Sequence, residues 1–160
     1  MNRLEKLLHM QQYMEAQQKI EKFEKDRIYC RHGRDHFKDV ARIAYILTLE
    51  QQLEISKELV YTAAFLHDMG RSYEYADLCS HESGSIVMAL NWLPECGYTE
   101  NEIKEIVEAI ALHRVEEKIE SHTFSEVLYK ADKLSRDCIQ CKAQDTCKWP
   151  EEKKNMHITY

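Results

Sequence analysis

The chain has 160 residues and a formal net charge of −6 at pH 7, with 44% hydrophobic and 31% charged residues. This length suits one domain with a substantial core. The acidic charge argues against a general nucleic-acid-binding protein, because such proteins gather Lys and Arg to neutralise phosphates. Four glycines and two prolines are too few for the turns of many short strands, so we expect a single all-α domain.

The sequence shows neither a membrane-spanning segment nor a secretion signal. It has no run of 18 or more apolar residues. The N-terminus also lacks the short apolar core of a secretory signal. We therefore predict a cytoplasmic protein that does not enter a membrane, and we expect its cysteines to be reduced thiols or metal ligands.

The first 26 residues predict one N-terminal packing helix. Its apolar residues recur at rough helical intervals: Leu4, Leu7, Met10, Met14, Ile20 and Phe23. A second helix is expected from Asp35 to about Gln52, and four of its residues share one stripe: His36, Val40, Ile43 and Leu47. His36 is therefore expected to point toward the core.

The next helix begins at the predicted N-cap Ser56 and is expected to stop at Gly70. His67 lies on its apolar stripe and Asp68 follows directly. Adjacent residues differ by about 100° around a helix, so both reach one site when that site lies at the helix terminus. The pair is therefore predicted to face a site at the end of this helix.

Three further helices each bring one ionisable residue to an apolar face. His81 begins a helix whose apolar face includes Met88 and Trp92. Thr-x-x-Glu capping boxes at 99–102 and 123–126 begin the other two, and their apolar sides carry His113 and Asp132. These residues lie where helical periodicity predicts partial burial.

Together the ionisable residues follow the spacing H-x30-HD-x12-H-x31-H-x18-D. Burying them without partners would cost several kcal/mol. A divalent cation compensates for this cost, and imidazole with carboxylate suits Mn, Fe and Zn. The pattern therefore predicts a metal site that forms when separate helices converge in a bundle.

Residues 27–137 resemble the HD-domain phosphohydrolase superfamily, named for the His-Asp pair in AAFLHDMGR. The resemblance implies an HD-domain helical bundle and a first metal held by His36, His67, Asp68 and Asp132. His32, in CRHGRDHF, is four residues before His36. It is expected to support the metal ligands without binding the metal.

The histidines in SHESGSIVMAL and IVEAIALHR resemble the dinuclear branch of this superfamily, which includes bacterial diadenosine tetraphosphate hydrolases. The resemblance implies a second metal held by His81 and His113, with Asp68 bridging. The expected cofactor is therefore two divalent ions of Fe, Mn or Zn. That branch usually has Lys after its HDIG motif, whereas this chain has Arg71.

The function implied is hydrolysis of a nucleotide or a similar small phosphate ester or anhydride, with a metal-bridging hydroxide as the nucleophile. Asp68, Arg71 and Lys133 are the candidate catalytic residues, because the two cations flank the ligands and can stabilise phosphoryl charge. A nucleotide-sensing module without turnover and a diiron oxygenase are the alternatives. The sequence predicts no oligomeric state.

The tail from residue 138 to 160 contains the pattern C-x2-C-x5-C, formed by Cys138, Cys141 and Cys147. These three residues are a candidate structural metal site, with His157 as a fourth ligand. The alternative is reduced thiols without metal. An iron–sulfur cluster usually needs four cysteines, and only three cluster in the sequence.

Overall fold

Helices are the only regular secondary structure in residues 1–113 and 119–160, the part of the chain described by this computed structural model, which confirms the predicted all-α class. None of its helices is long and apolar enough to cross a membrane. Short 3-10 turns cover Gln144–Thr146 and Glu151–Lys153. The α-helices are α1 (Asn2–Leu8), α2 (Gln11–Phe23), α3 (Arg34–Glu50), α4 (Lys57–Leu66), α5 (Arg71–Glu74), α6 (His81–Cys96), α7 (Glu100–Leu112) and α8 (Phe124–Leu134).

Helices α3, α4, α7 and α8 pack against one another and surround the core. Helix α6 packs on α7, α1 packs on α6 and α4, and α2 packs on α5. The predicted stripe of α3 is buried, since Val40, Ile43 and Leu47 all lie in the core. Burial of each such side chain contributes about 1.5–3 kcal/mol, which holds the helix ends in fixed positions around the site.

The N-terminal segment differs from the single packing helix that the sequence predicts. The chain turns at Met10, whose backbone is extended, and this turn separates α1 from α2. Leu7 and Tyr13 are both fully buried. Six residues advance a helix by about 240°, so one straight helix would place these two side chains on different faces. The turn lets both reach the core and leaves Met14 and Phe23 43% and 55% exposed.

The helix starts follow the predicted caps. The Ser56 side chain accepts a hydrogen bond from the Leu59 amide, and both halves of the capping box at 99–102 are present. At α8 the Thr123 side chain accepts from the Glu126 amide, whereas the Glu126 carboxylate accepts from the His122 amide. The Ser56, Thr99 and Thr123 side chains each satisfy a helix N–H group that would otherwise lack a partner.

Gly70 does not end a helix in the way the sequence predicts. Helix α4 ends at Leu66, and Gly70 has an ordinary φ of −64°. The glycine is needed for close packing, because a Cβ here would lie 2.0 Å from the His81 carbonyl oxygen and 2.3 Å from the Ser85 amide nitrogen. Its amide donates to the Ser85 hydroxyl at 2.9 Å. This contact holds the His67–Asp68 turn against the start of α6.

Candidate metal centre

The structure brings the six predicted metal-binding residues to one place, where several helices begin or end. His36 lies in the first turn of α3, and His81 is the first residue of α6. The remaining residues lie near helix C-termini: His67 and Asp68 directly after α4, His113 directly after α7, and Asp132 in the last turn of α8. Five helices therefore position the six side chains, with His67 and Asp68 both placed by the end of α4.

His36, His67, Asp68 and Asp132 form the first group, with one potential ligand atom from each within 4.8 Å of the others. The His36 Nε2 atom is 3.5 Å from Asp132 Oδ1, and the His67 Nε2 atom is 3.4 Å from Asp68 Oδ2. Two atoms that each lie ~2.1 Å from one ion are themselves ~3.0–3.4 Å apart. The observed spacing is therefore close to that of a shared ion.

Asp68, His81 and His113 form the second group within the same limit. The Asp68 Oδ1 atom is 3.4 Å from His81 Nε2 and 3.9 Å from His113 Nε2. The other Asp68 oxygen, Oδ2, faces His36 and His67. Asp68 thus presents one carboxylate oxygen to each group.

Several atoms of these groups are buried without a hydrogen bond from any described residue. They are the Nε2 atoms of His36, His67 and His81. Buried polar atoms are rarely left unsatisfied, because losing their hydrogen bonds to water costs free energy. Divalent cations satisfy both imidazole nitrogen and carboxylate oxygen, so the residues present fit such an ion.

Two of the histidines are oriented by their own helices. The His67 Nδ1 atom is 2.7 Å from the Ala64 carbonyl oxygen, and the His113 Nδ1 atom is 2.5 Å from the Ile110 carbonyl oxygen. A carbonyl only accepts, so Nδ1 carries the hydrogen in each ring. Nε2 is left to face the site, which is the usual arrangement for a metal-binding histidine.

Two other histidines are oriented by side chains from elsewhere in the fold. The His81 Nδ1 atom is 2.9 Å from a carboxylate oxygen of Glu74 in α5. The His36 Nδ1 atom is 3.2 Å from the Ser135 hydroxyl oxygen. The hydrogen of this hydroxyl is donated to the Asp132 carbonyl. Glu74 was not predicted from the sequence, because nothing in its spacing distinguishes it from an exposed acidic residue.

His32 lies beside the centre, between Glu24 and Asp68. Its Nδ1 atom is 2.6 Å from Glu24 Oε1, and its Nε2 atom is 3.8 Å from Asp68 Oδ2. Burial would raise the pKa of Glu24, but hydrogen bonds from His32 and Tyr75 lower it to about 2. Burial lowers the pKa of His32, and Glu24 opposes this effect. Glu24 therefore stays charged and holds the His32 ring toward Asp68.

The charges at the centre stabilise one another. Burial would raise the pKa of Asp68, but His67 and Arg71 outweigh it and hold the pKa well below its ordinary value. Burial would also raise the pKa of Asp132, but His67 and Arg136 hold that pKa well below its ordinary value. Both aspartates are therefore ionised at neutral pH and available to a cation.

The two candidate catalytic cations contact the aspartates directly. The Arg71 Nε atom is 3.0 Å from Asp68 Oδ1, and Lys133 Nζ donates to Asp132 Oδ2 at 2.6 Å. A third cation, Arg136, donates to Asp132 Oδ1 at 3.1 Å. Arg136 follows Asp132 by four residues, a spacing that places two side chains on one helix face.

A pocket of about 800 Å³ opens over the first group of residues. His36 lines it, as do seven Lys and Arg side chains and five Asp and Glu side chains. Asp68 and Asp132 are two of these five. Trp149 also lines it, with the Arg136 guanidinium 4.2 Å from its ring centre. The tail thus contributes an aromatic wall that the sequence did not predict, since a lone tryptophan in an aperiodic segment carries no signal.

The tail cysteines also line this pocket, whereas His157 does not join them. His157 lines a separate groove with Ile158 and Tyr160. Cys30, from the segment between α2 and α3, lies at the pocket with the three tail cysteines. All six cysteines of the chain are described, and each is a free thiol.

Comparisons with known proteins agree with this architecture. Residues 33–142 match a family model described as HD domain. An uncharacterized protein from Clostridium beijerinckii is 42% identical over 160 residues, which is 100% of both chains. The crystal structure of a predicted HD superfamily hydrolase from an uncultured Thermotogales bacterium has a TM-score of 0.65 at 19% identity, over 92% of this chain and 82% of that chain. The family match covers more than half of the sequence.

Proposed function

Because the chain belongs to the HD domain family, we propose that it is a metal-dependent phosphohydrolase acting on a nucleotide or a similar small phosphate ester or anhydride. HD domains bind divalent metals, and the clustered His and Asp residues fit such ions. The placement of Asp68 carries the proposal, since its two oxygens face two separate groups of histidines. This placement supports a dinuclear centre bridged by Asp68.

His36, His67 and Asp132 would hold one ion, His81 and His113 would hold the other, and Asp68 would contact both. Two divalent ions, when bound, lower the pKa of water and polarise phosphoryl oxygens. Iron, manganese and zinc all suit this ligand set. Because each histidine already directs Nε2 toward the centre, little side-chain movement is needed for binding.

The cations around the pocket would bind and orient the phosphate. Lys133 and Arg136 contact Asp132 from the pocket side, and both line the pocket. Their remaining N–H groups are suited to phosphoryl oxygens. Arg71, fixed by Asp68, brings a third positive charge to the same region. These groups would stabilise negative charge that develops on the phosphoryl group.

Trp149 supports a nucleotide rather than a simple phosphate as the substrate. One face of its ring lies against Arg136, at the wall of the pocket. Aromatic rings stack on nucleobases with a contribution of about 1–3 kcal/mol per base. A base bound beside Trp149 would place its phosphates toward Lys133, whose Nζ atom is 5.7 Å from the same ring centre.

The function is tested by measuring phosphate release and identifying the products with a panel of nucleoside monophosphates, nucleoside diphosphates and dinucleotides. The protein would carry a known metal content, with Mn, Fe and Zn supplied in turn. We expect one substrate class to be hydrolysed. Nucleotide binding without turnover by any loaded form would instead support a sensing module, and oxygen consumption would support an oxygenase.

Lys133→Gln is expected to reduce kcat/KM for that substrate by about 100-fold, the effect of removing one preorganised donor. The assay uses saturating metal, because Lys133 contacts the ligand Asp132 and its loss should weaken metal affinity as well. Lys130→Gln is the matched control, since Lys130 lies on the same helix and pairs with Glu126 at 2.7 Å instead. Equal activity of the two variants would contradict the role assigned to Lys133.

Metal affinity is expected to rise with pH because of His67. Burial would lower the pKa of His67, but Asp68 and Asp132 raise it to about 9. Metal binding needs the neutral ring, so the ion must displace a proton below that pH. We expect the affinity for Mn²⁺ to increase about tenfold per pH unit from about pH 6.5 to 8.5. The Kd would be measured at constant ionic strength, and a constant Kd would contradict the proton displacement.

A further inference from the structure

Four cysteines that lie far apart in the sequence line one wall of the pocket. Cys138, Cys141 and Cys147 come from the tail, and Cys30 comes from the segment before α3. All four are partly buried free thiols. The other two cysteines differ, since Cys79 is exposed and Cys96 is buried in the core beside Met10.

Backbone hydrogen bonds fold the segment that contains the three tail cysteines into one short loop. The Cys141 amide donates to the Cys138 carbonyl at 3.4 Å, and the Cys147 amide donates to the Gln144 carbonyl at 3.3 Å. A further bond of 3.2 Å joins Gln144 to Cys141. These tight turns convert a spacing of nine residues into a compact loop.

A hydrogen bond joins the segment that contains Cys30 to this loop. The hydroxyl of the preceding residue, Tyr29, donates to the carbonyl of Thr146, the residue before Cys147, at 3.3 Å. On the other side, Arg27 Nε donates to the Cys30 carbonyl at 2.8 Å. The two chain segments therefore meet at the residues next to the thiols.

The electrostatics of Cys30 agree with this proximity. Burial raises the pKa of Cys30, Arg136 opposes this effect, and the three tail cysteines each raise it further. Thiolates that repel one another in this way are stabilised when they bind a common metal. Arg27, Arg136 and Lys148 line the same pocket and supply positive charge beside the thiols.

We propose that Cys30, Cys138, Cys141 and Cys147 bind an iron–sulfur cluster as a second centre, separate from the His and Asp residues. Four thiolates are the ligand set of both [4Fe–4S] clusters and structural zinc. Zinc sites commonly use two close pairs of ligands. Three cysteines near each other with a fourth far away in sequence is instead a spacing found in ferredoxins.

This centre would also fix part of the wall of the hydrolase pocket. Arg136 lies two residues before Cys138, and Trp149 lies two residues after Cys147. The cluster would therefore hold the Arg136–Trp149 stack in place over the pocket. Its contribution is structural, since no cysteine belongs to the groups around Asp68.

The test uses the full chain, expressed with added iron and sulfur and purified without oxygen. Iron, zinc and acid-labile sulfide are measured per chain, because sulfide reports a cluster and the His and Asp centre contributes none. We expect sulfide in the wild-type protein and a loss of at least about tenfold in Cys30→Ser. Cys79→Ser is the matched control and should keep its sulfide, and far-UV circular dichroism checks that each variant is folded.

The outcomes test two claims separately: that the four cysteines form a metal site, and that the bound group is an iron–sulfur cluster. Zinc that depends on Cys30 and comes without sulfide would keep the four-thiolate site and overturn the cluster. Absence of any metal that depends on Cys30 and Cys141, in folded protein, would overturn the site. If Cys141→Ser loses the metal and Cys30→Ser keeps it, the role of Cys30 as a ligand would be overturned.

Discussion

Asp68→Asn is expected to empty both halves of the metal centre and to abolish hydrolysis. Each Asp68 oxygen faces one group of histidines, so loss of its charge affects both proposed ions at once. Removing a residue that merely supports a ligand costs about 10–100-fold in metal affinity. Loss of the bridging ligand should therefore cost more than about 100-fold, measured by metal titration and by metal content after purification.

Variants that alter a ligand of only one of the two metal-binding groups show whether the effect of Asp68→Asn is specific to a shared ligand. Asp132→Asn and His113→Gln each alter a residue of one group, so each should reduce the metal content by about half. Asp35→Asn is the matched control, because the Asp35 side chain is 91% exposed and pairs with Lys38. Wild-type metal content in Asp68→Asn would contradict the bridging role.

Gly70→Ala is expected to destabilise the fold by about 3 kcal/mol or more, the upper part of the range for overpacking. The added Cβ would lie 2.0 Å from the His81 carbonyl oxygen and 2.8 Å from the Gly84 carbonyl carbon. These are backbone atoms, so no side-chain rotation relieves the clash. The free energy of unfolding would be measured by urea denaturation with metal removed.

Gly33→Ala provides the control for this substitution. Gly33 is the N-cap of α3, and a Cβ there meets no atom within 4 Å. Its cost should be about 1 kcal/mol or less, since Ala is only a poorer N-cap. Similar losses of stability in the two variants would show that close packing at Gly70 is not responsible. A larger loss in Gly70→Ala would be accompanied by weaker metal binding, because His67 and His81 flank the contact.

The helices and their caps could be predicted because those signals are local. The spacing of Val40, Ile43 and Leu47 gave the buried face of α3, and the capping box at 99–102 gave the start of α7. The break at Met10 was not predicted, since the first 26 residues contain apolar residues at helical intervals on both sides of it. Only the need to bury both Leu7 and Tyr13 in one core explains the turn.

The centre was predictable to the extent that its residues combine charge with an apolar helical face. His113 and Asp132 fit that description, and the structure brings them to the same place. Their partners were harder to find. Glu24 and Cys30 both lie after the end of α2, and their segments make contacts with residues distant in the sequence. Periodicity within one helix contains no information about such contacts.

The directions of the helices give the centre an electrostatic character that does not depend on its side chains. Helices α4, α7 and α8 end there, so the partial negative charges of their C-terminal carbonyls favour a cation. Helices α3 and α6 begin there, so their N-terminal amides favour an anion. The backbone dipoles of the bundle are thus oriented to favour a cation and an anion side by side.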